Sequence, residues 1–515
     1  MAARVLETIV DLLKGGTTER MLTIGAAIAG IGTVAAVITV LTPMLLPMQV
    51  VEVALAVLLA ANALGAAVVA IASLQLRRYR SGGPYRKPLG PLAAFGAAKS
   101  VALGNALALF VHAETPVTAR LVRFGAEKEV VADRVLDLAA TPRSAVFDRR
   151  RGYDWPETAR VATDGLRPGL HAVELASTTD PGRRWAVPMI VKPRTAPDVA
   201  VVLSTNTWEA YNTYGGLSNY ENFHLFRALH WIIRHTHALP RYYWPTLTDR
   251  RPNDIVSEEL LSCETPDADH HSRLIGAEWP VLAYLERQGV DYGVYSDDDL
   301  VRDPTLAQAR LLILAGHAEY WTGEMAYALE RYVASGGHVV IAAGNPLFRR
   351  VDRIPGGLIV DPLPPSEEAV TRLIGTFYTD NGKFTSAPLT VDRPDHWIFA
   401  GAEVEADQVI GARSGFRPWQ DDRRHEDGAS GVFTQKVGFG SGAFEILATG
   451  LNEEGPAHVV FRETEAGGWI FNASAAAFSC CLDRDPVIAR MMDNLLESAL
   501  HSERAAPRPA TRLVG

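Results

Sequence analysis

The stretch Leu311-Leu-Ile-Leu-Ala-Gly-His-Ala-Glu-Tyr-Trp-Thr322 organises the reading of the chain and is its best candidate for a reaction centre. An apolar run closed by Gly316 reads as a strand buried on both faces, the kind found in parallel sheets. From Thr322 onward, Gly-Glu-Met-Ala-Tyr-Ala-Leu-Glu-Arg-Tyr-Val supplies a capping residue, an early acid and apolar residues at helical spacing. His317, Glu319 and Tyr320 therefore fall in a strand-to-helix turn. In open α/β sheets that turn is where ligands bind.

On either side of this stretch the pattern alternates. Val199-Ala-Val-Val-Leu-Ser204, Val290-Asp-Tyr-Gly-Val-Tyr295 and His338-Val-Val-Ile-Ala342 read as further strands. Helices are expected over 222–234, 278–288 and 322–335. Strand–helix alternation predicts a parallel sheet with helices on both faces, an α/β domain of flavodoxin or glutamine-amidotransferase type over 196–500. Polar residues follow each strand: Thr205-Asn-Thr-Trp-Glu-Ala-Tyr211, Ser296-Asp-Asp-Asp-Leu300, Gly316-His-Ala-Glu319 and Gly344-Asn345. They should converge at one edge of the sheet. No Gly-rich phosphate fingerprint follows any strand, which argues against a nucleotide cofactor. Neither Cys nor Ser stands in the Gly316–Glu319 turn, which argues against covalent catalysis there.

Upstream of this domain the periodicity is two. Asn105–His112, Thr118–Phe124 and Gly169–Leu175, separated by Pro and Gly, predict a small β-sandwich over 99–195. Residues 77–98, rich in Arg, Gly and Pro, read as a linker. From Met21 to Leu76 the one charged residue is Glu52, long enough for two bilayer-crossing helices near 22–43 and 53–75, with a buried helical hairpin as the alternative. Arg77, Arg78, Arg80, Arg86 and Lys87 follow the second span, and Arg4, Lys14 and Arg20 precede the first. That bias places both termini on the cytoplasmic side of an inner membrane. Residues 1–20 read as an amphipathic leader and 501–515 as a disordered tail.

A net charge of −9 and a pI near 5.9 give no reason to expect nucleic acid. Cys263, Cys480 and Cys481 have no metal-binding spacing and point to a reducing compartment. His224, His230, His235 and His237 lack a shared helical face. His270-His271 reads as part of an exposed loop, and Asp297–Asp299 as a solvated turn or, less simply, a cation site.

Four motifs carry a resemblance: Asn206-Thr-Trp-Glu-Ala-Tyr-Asn-Thr-Tyr-Gly-Gly216, Glu278-Trp-Pro-Val-Leu-Ala-Tyr-Leu-Glu-Arg-Gln-Gly289, Gly316-His-Ala-Glu-Tyr-Trp-Thr322 and Gly344-Asn345. Together they resemble the C-terminal catalytic domain of the large (beta) subunit of N,N-dimethylformamidase. The resemblance implies one iron(III) held by two tyrosinates and a glutamate, with a histidine and an asparagine beside the substrate. Matched residue by residue, Tyr211 and Glu319 are metal ligands and His317 and Asn345 are catalytic. Asn253, closing Arg251-Pro252-Asn253, stands where the second tyrosine is expected, and Ala318 where the family has an acid. Such an ion prefers oxygen donors, polarises an amide carbonyl and acidifies bound water.

Two functions follow from this reading. The first is a membrane-tethered, metal-assisted hydrolase of a non-peptide amide or related C–N bond. The alternative is a non-catalytic binding module of the same descent, recruiting a small molecule or protein at the membrane. Expected partners are the lipid bilayer, a small amide-like substrate, and a second copy of the chain or a small partner subunit.

Overall fold

The computed structural model describes residues 85–86, 89–148, 151–212, 246–252, 275–361, 365–378, 386–415, 428–430, 436–437, 442–452 and 455–501. The elements named below belong to one compact unit, residues 87–219 with 244–515.

The first part is a pair of sheets. Strands β1 (Leu92–Gly96), β2 (Ser100–Ala102), β3 (Ala106–Ala113), β4 (Val117–Phe124), β5 (Lys128–Leu138), β6 (Ala159–Ala162), β7 (Gly169–Ser177) and β8 (Arg184–Lys192) form it. One sheet has the order β2-β8-β7-β4-β5 and the other β1-β3-β6. Alternation places Leu107, Leu109 and Val111 of β3 and Val117, Ala119 and Leu121 of β4 in a shared apolar core with Val173 and Leu175 of β7. Each Leu or Val among them removed from water contributes about 1.5–3 kcal/mol. β5 is half exposed along its length, as an outer strand should be.

The second part opens with β9 (Val199–Leu203), α1 (Thr205–Tyr211), β10 (Thr246–Thr248), α2 (Ile275–Arg287), β11 (Tyr292–Ser296) and α3 (Asp299–Arg302). There follow β12 (Leu311–Gly316), β13 (Tyr320–Trp321), α4 (Gly323–Ala334), β14 (His338–Ala343), β15 (Arg349–Ile354) and β16 (Gly357–Val360). Last come α5 (Glu367–Ile374), β17 (Leu389–Val391), β18 (Val409–Ile410), β19 (Glu445–Asn452), β20 (Gly455–Glu463), β21 (Trp469–Asn472) and α6 (Pro486–His501).

Every residue of β9, β12 and β14 is buried. β12 lies between β9 and β14, parallel to both, with Leu311 opposite Val199 and His338. α4 starts where Thr322 Oγ1 accepts the Met325 N–H at 3.1 Å. Its Met325, Leu329, Tyr332 and Val333 pack into the core that holds Leu312, Leu314, Val339 and Ile341.

The fold-class expectation is corrected here. The large sheet has the order β11-β9-β12-β14-β21-β20-β19-β17-β18. Its first five strands run parallel, but β21, β20, β19, β17 and β18 are joined by antiparallel pairings. A separate mixed sheet, β10-β16-β15-β13, stands beside it. The described residues are mostly β, in large mixed sheets with few helices, and do not form a flavodoxin-like α/β domain. The physical reason is that strand–helix alternation stops after β14. The next strands close as hairpins, which need no crossover helix.

The expectation of a two-span inner-membrane protein is corrected as well. Among the described residues no helix is long and apolar enough to cross a membrane. The segments 22–43 and 53–75, with the leader and the tail, lie outside the described residues.

Candidate functional site

The site is assembled where β9 and β12 end side by side. Ser204, the last residue before α1, ties the two ends together: its Oγ donates to the Ala315 carbonyl at 2.7 Å. Its N–H donates to Glu278 Oε1 at 2.7 Å, and Trp208 Nε1 donates to the same carboxyl at 3.0 and 3.2 Å. Glu278 is wholly buried, and burial, reinforced by the charge of Asp297, pushes its carboxyl well above the usual range. Gly316 sits against it with φ +81°, and a Cβ at that position would lie 2.4 Å from Glu278 Cγ. Only glycine fits both the left-handed backbone and the contact.

The turn beyond Gly316 is pinned on two sides. Glu319 N donates to Thr207 Oγ1 at 3.2 Å. The backbone after β14 runs alongside, with Gly344 N bonded to Gly316 O at 2.9 Å, Leu347 N to Ala318 O at 3.1 Å and Arg349 N to Glu319 O at 2.8 Å.

α1 then brings Tyr211 to this turn. Tyr211 Oη donates to Glu319 Oε2 at 2.8 Å and lies 3.2 Å from His317 Nε2, which is itself 2.8 Å from the same carboxylate oxygen. A bond from imidazole to a carboxylate requires the proton on Nε2. Tyr211, His317 and Glu319 are at most 5% exposed. Burial alone would raise the Glu319 carboxyl. The hydrogen bond and charge of His317, the Arg349 guanidinium 3.5 Å away and the Tyr211 hydroxyl outweigh it and hold Glu319 below the usual carboxylate range.

Of the residues singled out in the sequence, three are thus in mutual contact. Asn345 is buried with φ 45°, in the loop bonded to Gly316 and Ala318, and its Oδ1 has no hydrogen-bond partner among the described residues. Asn253 lies outside the described residues, as do the histidines of 224–237 and His270-His271. Arg251 and Pro252 are pinned beside Tyr211, since Arg251 NH2 donates to Glu209 O at 2.6 Å and Asn212 Nδ2 to Pro252 O at 3.0 Å. Arg349 and Thr207 were not singled out. Both come into contact with Glu319 through tertiary packing, and nothing in local spacing announces them.

The metal-binding expectation is corrected at this point. Among the described residues no group of three or more His, Cys, Asp or Glu side chains is placed to hold a metal ion. Tyr211 Oη, His317 Nε2 and Glu319 Oε2 bond to one another instead, and two protein oxygens, Tyr211 Oη and a Glu319 carboxylate that also faces Arg349, do not by themselves make an iron(III) site.

Residues 120–359 match the family model described as N,N-dimethylformamidase beta subunit-like, C-terminal. Those residues are similar to that family. The dimethylformamidase-like segment contains Tyr211, His317, Glu319 and Asn345. None of the curated proteins matches the chain. Among solved structures, the exo-beta-1,4-mannosidase Op5Man5 from Opitutaceae bacterium strain TAV5 is similar at 13% identity and a TM-score of 0.26. The similarity covers 59% of this chain and 35% of that one, and is too slight to bear on fold or activity.

Proposed function

We propose that the chain hydrolyses a non-peptide amide or related C–N bond at the Tyr211–His317–Glu319 cluster. The observation that carries this is the convergence of Tyr211 Oη, His317 Nε2 and Glu319 Oε2 within 2.8–3.2 Å of one another inside a dimethylformamidase-like segment.

Glu319, held as an anion, accepts the proton of the attacking water. The water oxygen bonds to the carbonyl carbon, the C–N bond breaks, and the proton passes from Glu319 to the departing nitrogen. Tyr211 and His317, the two donors on Glu319, can turn their protons toward the oxyanion that forms on the carbonyl. Such positioned donors lower the barrier by a few kcal/mol. Asn345 supplies a further amide beside the turn. No step above depends on a metal ion.

Release of amine from N,N-dimethylformamide and a panel of small amides by the full chain tests the proposal. His317→Ala should lower kcat by about 10²–10⁴-fold. Turnover that His317→Ala and Tyr211→Phe both leave intact would remove this cluster from the reaction. Metal analysis of the same preparation reads the iron question separately.

A further inference from the structure

A cleft of about 1610 Å³ opens between α4, α5 and the end of β20. Arg331, Arg349, Arg350, Arg372 and Arg462 line it with the acids Glu330, Glu463 and Glu465; Arg349 faces Glu319 and Arg350 faces Asp361, which leaves Arg331, Arg372 and Arg462 to the cleft. Trp321, Leu347, Val370 and Leu373 give it an apolar floor.

The arginines are what set this cleft apart. Arg331 and Arg372 are exposed and Arg462 is half-buried, and none of the three forms a salt bridge with any described residue; for Arg462 this differs from the half-buried Lys192 and Arg353, which are paired with carboxylates. Arg462 is half-buried, its guanidinium stacked over the Phe444 ring at 4.6 Å and its NH1 bonded to the Arg372 carbonyl at 3.0 Å. Its Nε is buried without a hydrogen-bond partner among the described residues. Burial pushes the Arg462 guanidinium below its usual range, with no carboxylate to restore it. A fixed, stacked and unneutralised guanidinium is prepared for an oxyanion, which charge-assisted N–H donation holds. Arg349 belongs to both places: it lines the cleft, and its Nε stands 3.5 Å from Glu319 Oε1.

We propose that this cleft binds the oxyanionic group, a carboxylate or a phosphate, of an amide with an apolar body. Arg372 and Arg462 take the anion, the floor takes the body, and Arg349 marks the end nearest the Tyr211–His317–Glu319 cluster. The anion site stands on the cleft alone. That its occupant is a substrate rests on the hydrolase reading above.

Calorimetry with the full chain tests it, using N-acetyl-L-phenylalanine, its neutral amide N-acetyl-L-phenylalaninamide, and phenyl phosphate. At least one anion should bind about tenfold or more tighter than the neutral amide, and Arg462→Gln should remove most of that preference while leaving the neutral amide unchanged. Which anion wins tells carboxylate from phosphate. Arg372→Gln, at an exposed position, gives the same reading if Arg462→Gln does not fold. Equal affinity for all three probes, or an anion preference that both variants leave intact, overturns the proposal. Anion binding with no amide turned over keeps the cleft site and removes the hydrolase reading. Turnover of neutral amides with no anion preference does the reverse.

Discussion

At the carboxyl end of β11, Asp297 Oδ2 accepts the Asn206 N–H at 2.7 Å, and Asp299 Oδ2 accepts the Ser296 N–H and Oγ–H at 2.8 and 2.6 Å. Asp299 also meets Lys192 at 2.6 Å and Asp298 meets Arg353 at 2.5 Å. Two strands along, at the end of β12, Glu319 Oε2 takes both of its bonds from side chains, Tyr211 and His317. The first cluster caps backbone and fixes cations, so it builds the scaffold on which α1 starts. The second holds donors that can turn to something else without unravelling a helix. The comparison also corrects the expectation of a solvated turn or cation site at 297–299, since Asp297 and Asp299 are 2% and 4% exposed and already satisfied.

The two ends respond to pH with opposite sign. Burial, with the charge of Asp298 adding to it, pushes Asp297 up to about 8. Its folded value lies above its unfolded one, so its contribution to stability is complete in acid and is lost as pH rises toward 8. Glu319 is held below its usual range, so its contribution is present at neutral pH and is lost as pH falls through its lowered value.

Variants on either side sharpen the distinction. The largest effect on stability is expected at Glu209, two residues from Tyr211 on α1, which pairs with Lys99 and with the buried Arg251. Glu209→Ala removes the buried carboxylate that faces both Arg251 and Lys99 and should cost about 3–5 kcal/mol in denaturant unfolding. A loss under about 1 kcal/mol would mean that the pair does not hold α1. Next comes Asp297→Asn, which keeps a carbonyl acceptor for Asn206 and has no charge to bury. Its unfolding free energy should decline less than wild type between pH 4 and 8. Identical slopes would place Asp297 in the ordinary range and weaken the contrast. Thr322→Ala removes the cap of α4 and should cost only about 1 kcal/mol, with the site untouched. A change in turnover from that variant would show that the helix start and the turn before it are one unit.

Much of the turn was legible from local pattern. Five apolar residues, a glycine and a capping threonine can hardly form anything but a buried strand, a turn and a helix, and Leu311–Gly316 and Gly323–Ala334 lie there. The fold class was not legible, because β19 and β20 carry no local mark showing that they extend the sheet by antiparallel pairing. Register across a sheet is a long-range property. Tyr211 is 106 residues from His317 and was found through the resemblance, not through spacing. Arg349 was missed because its role depends on a loop lying alongside another strand end.

The central claim is that the end of β12 does chemistry and the end of β11 does not. It is tested most directly by amide turnover in Glu319→Gln beside Asp299→Asn, each with its melting temperature. Glu319→Gln should lower kcat of the folded fraction by about 10²-fold or more, beyond any loss of melting temperature, while Asp299→Asn should destabilise the fold and leave kcat of the folded fraction near wild type. Wild-type kcat in Glu319→Gln would contradict it.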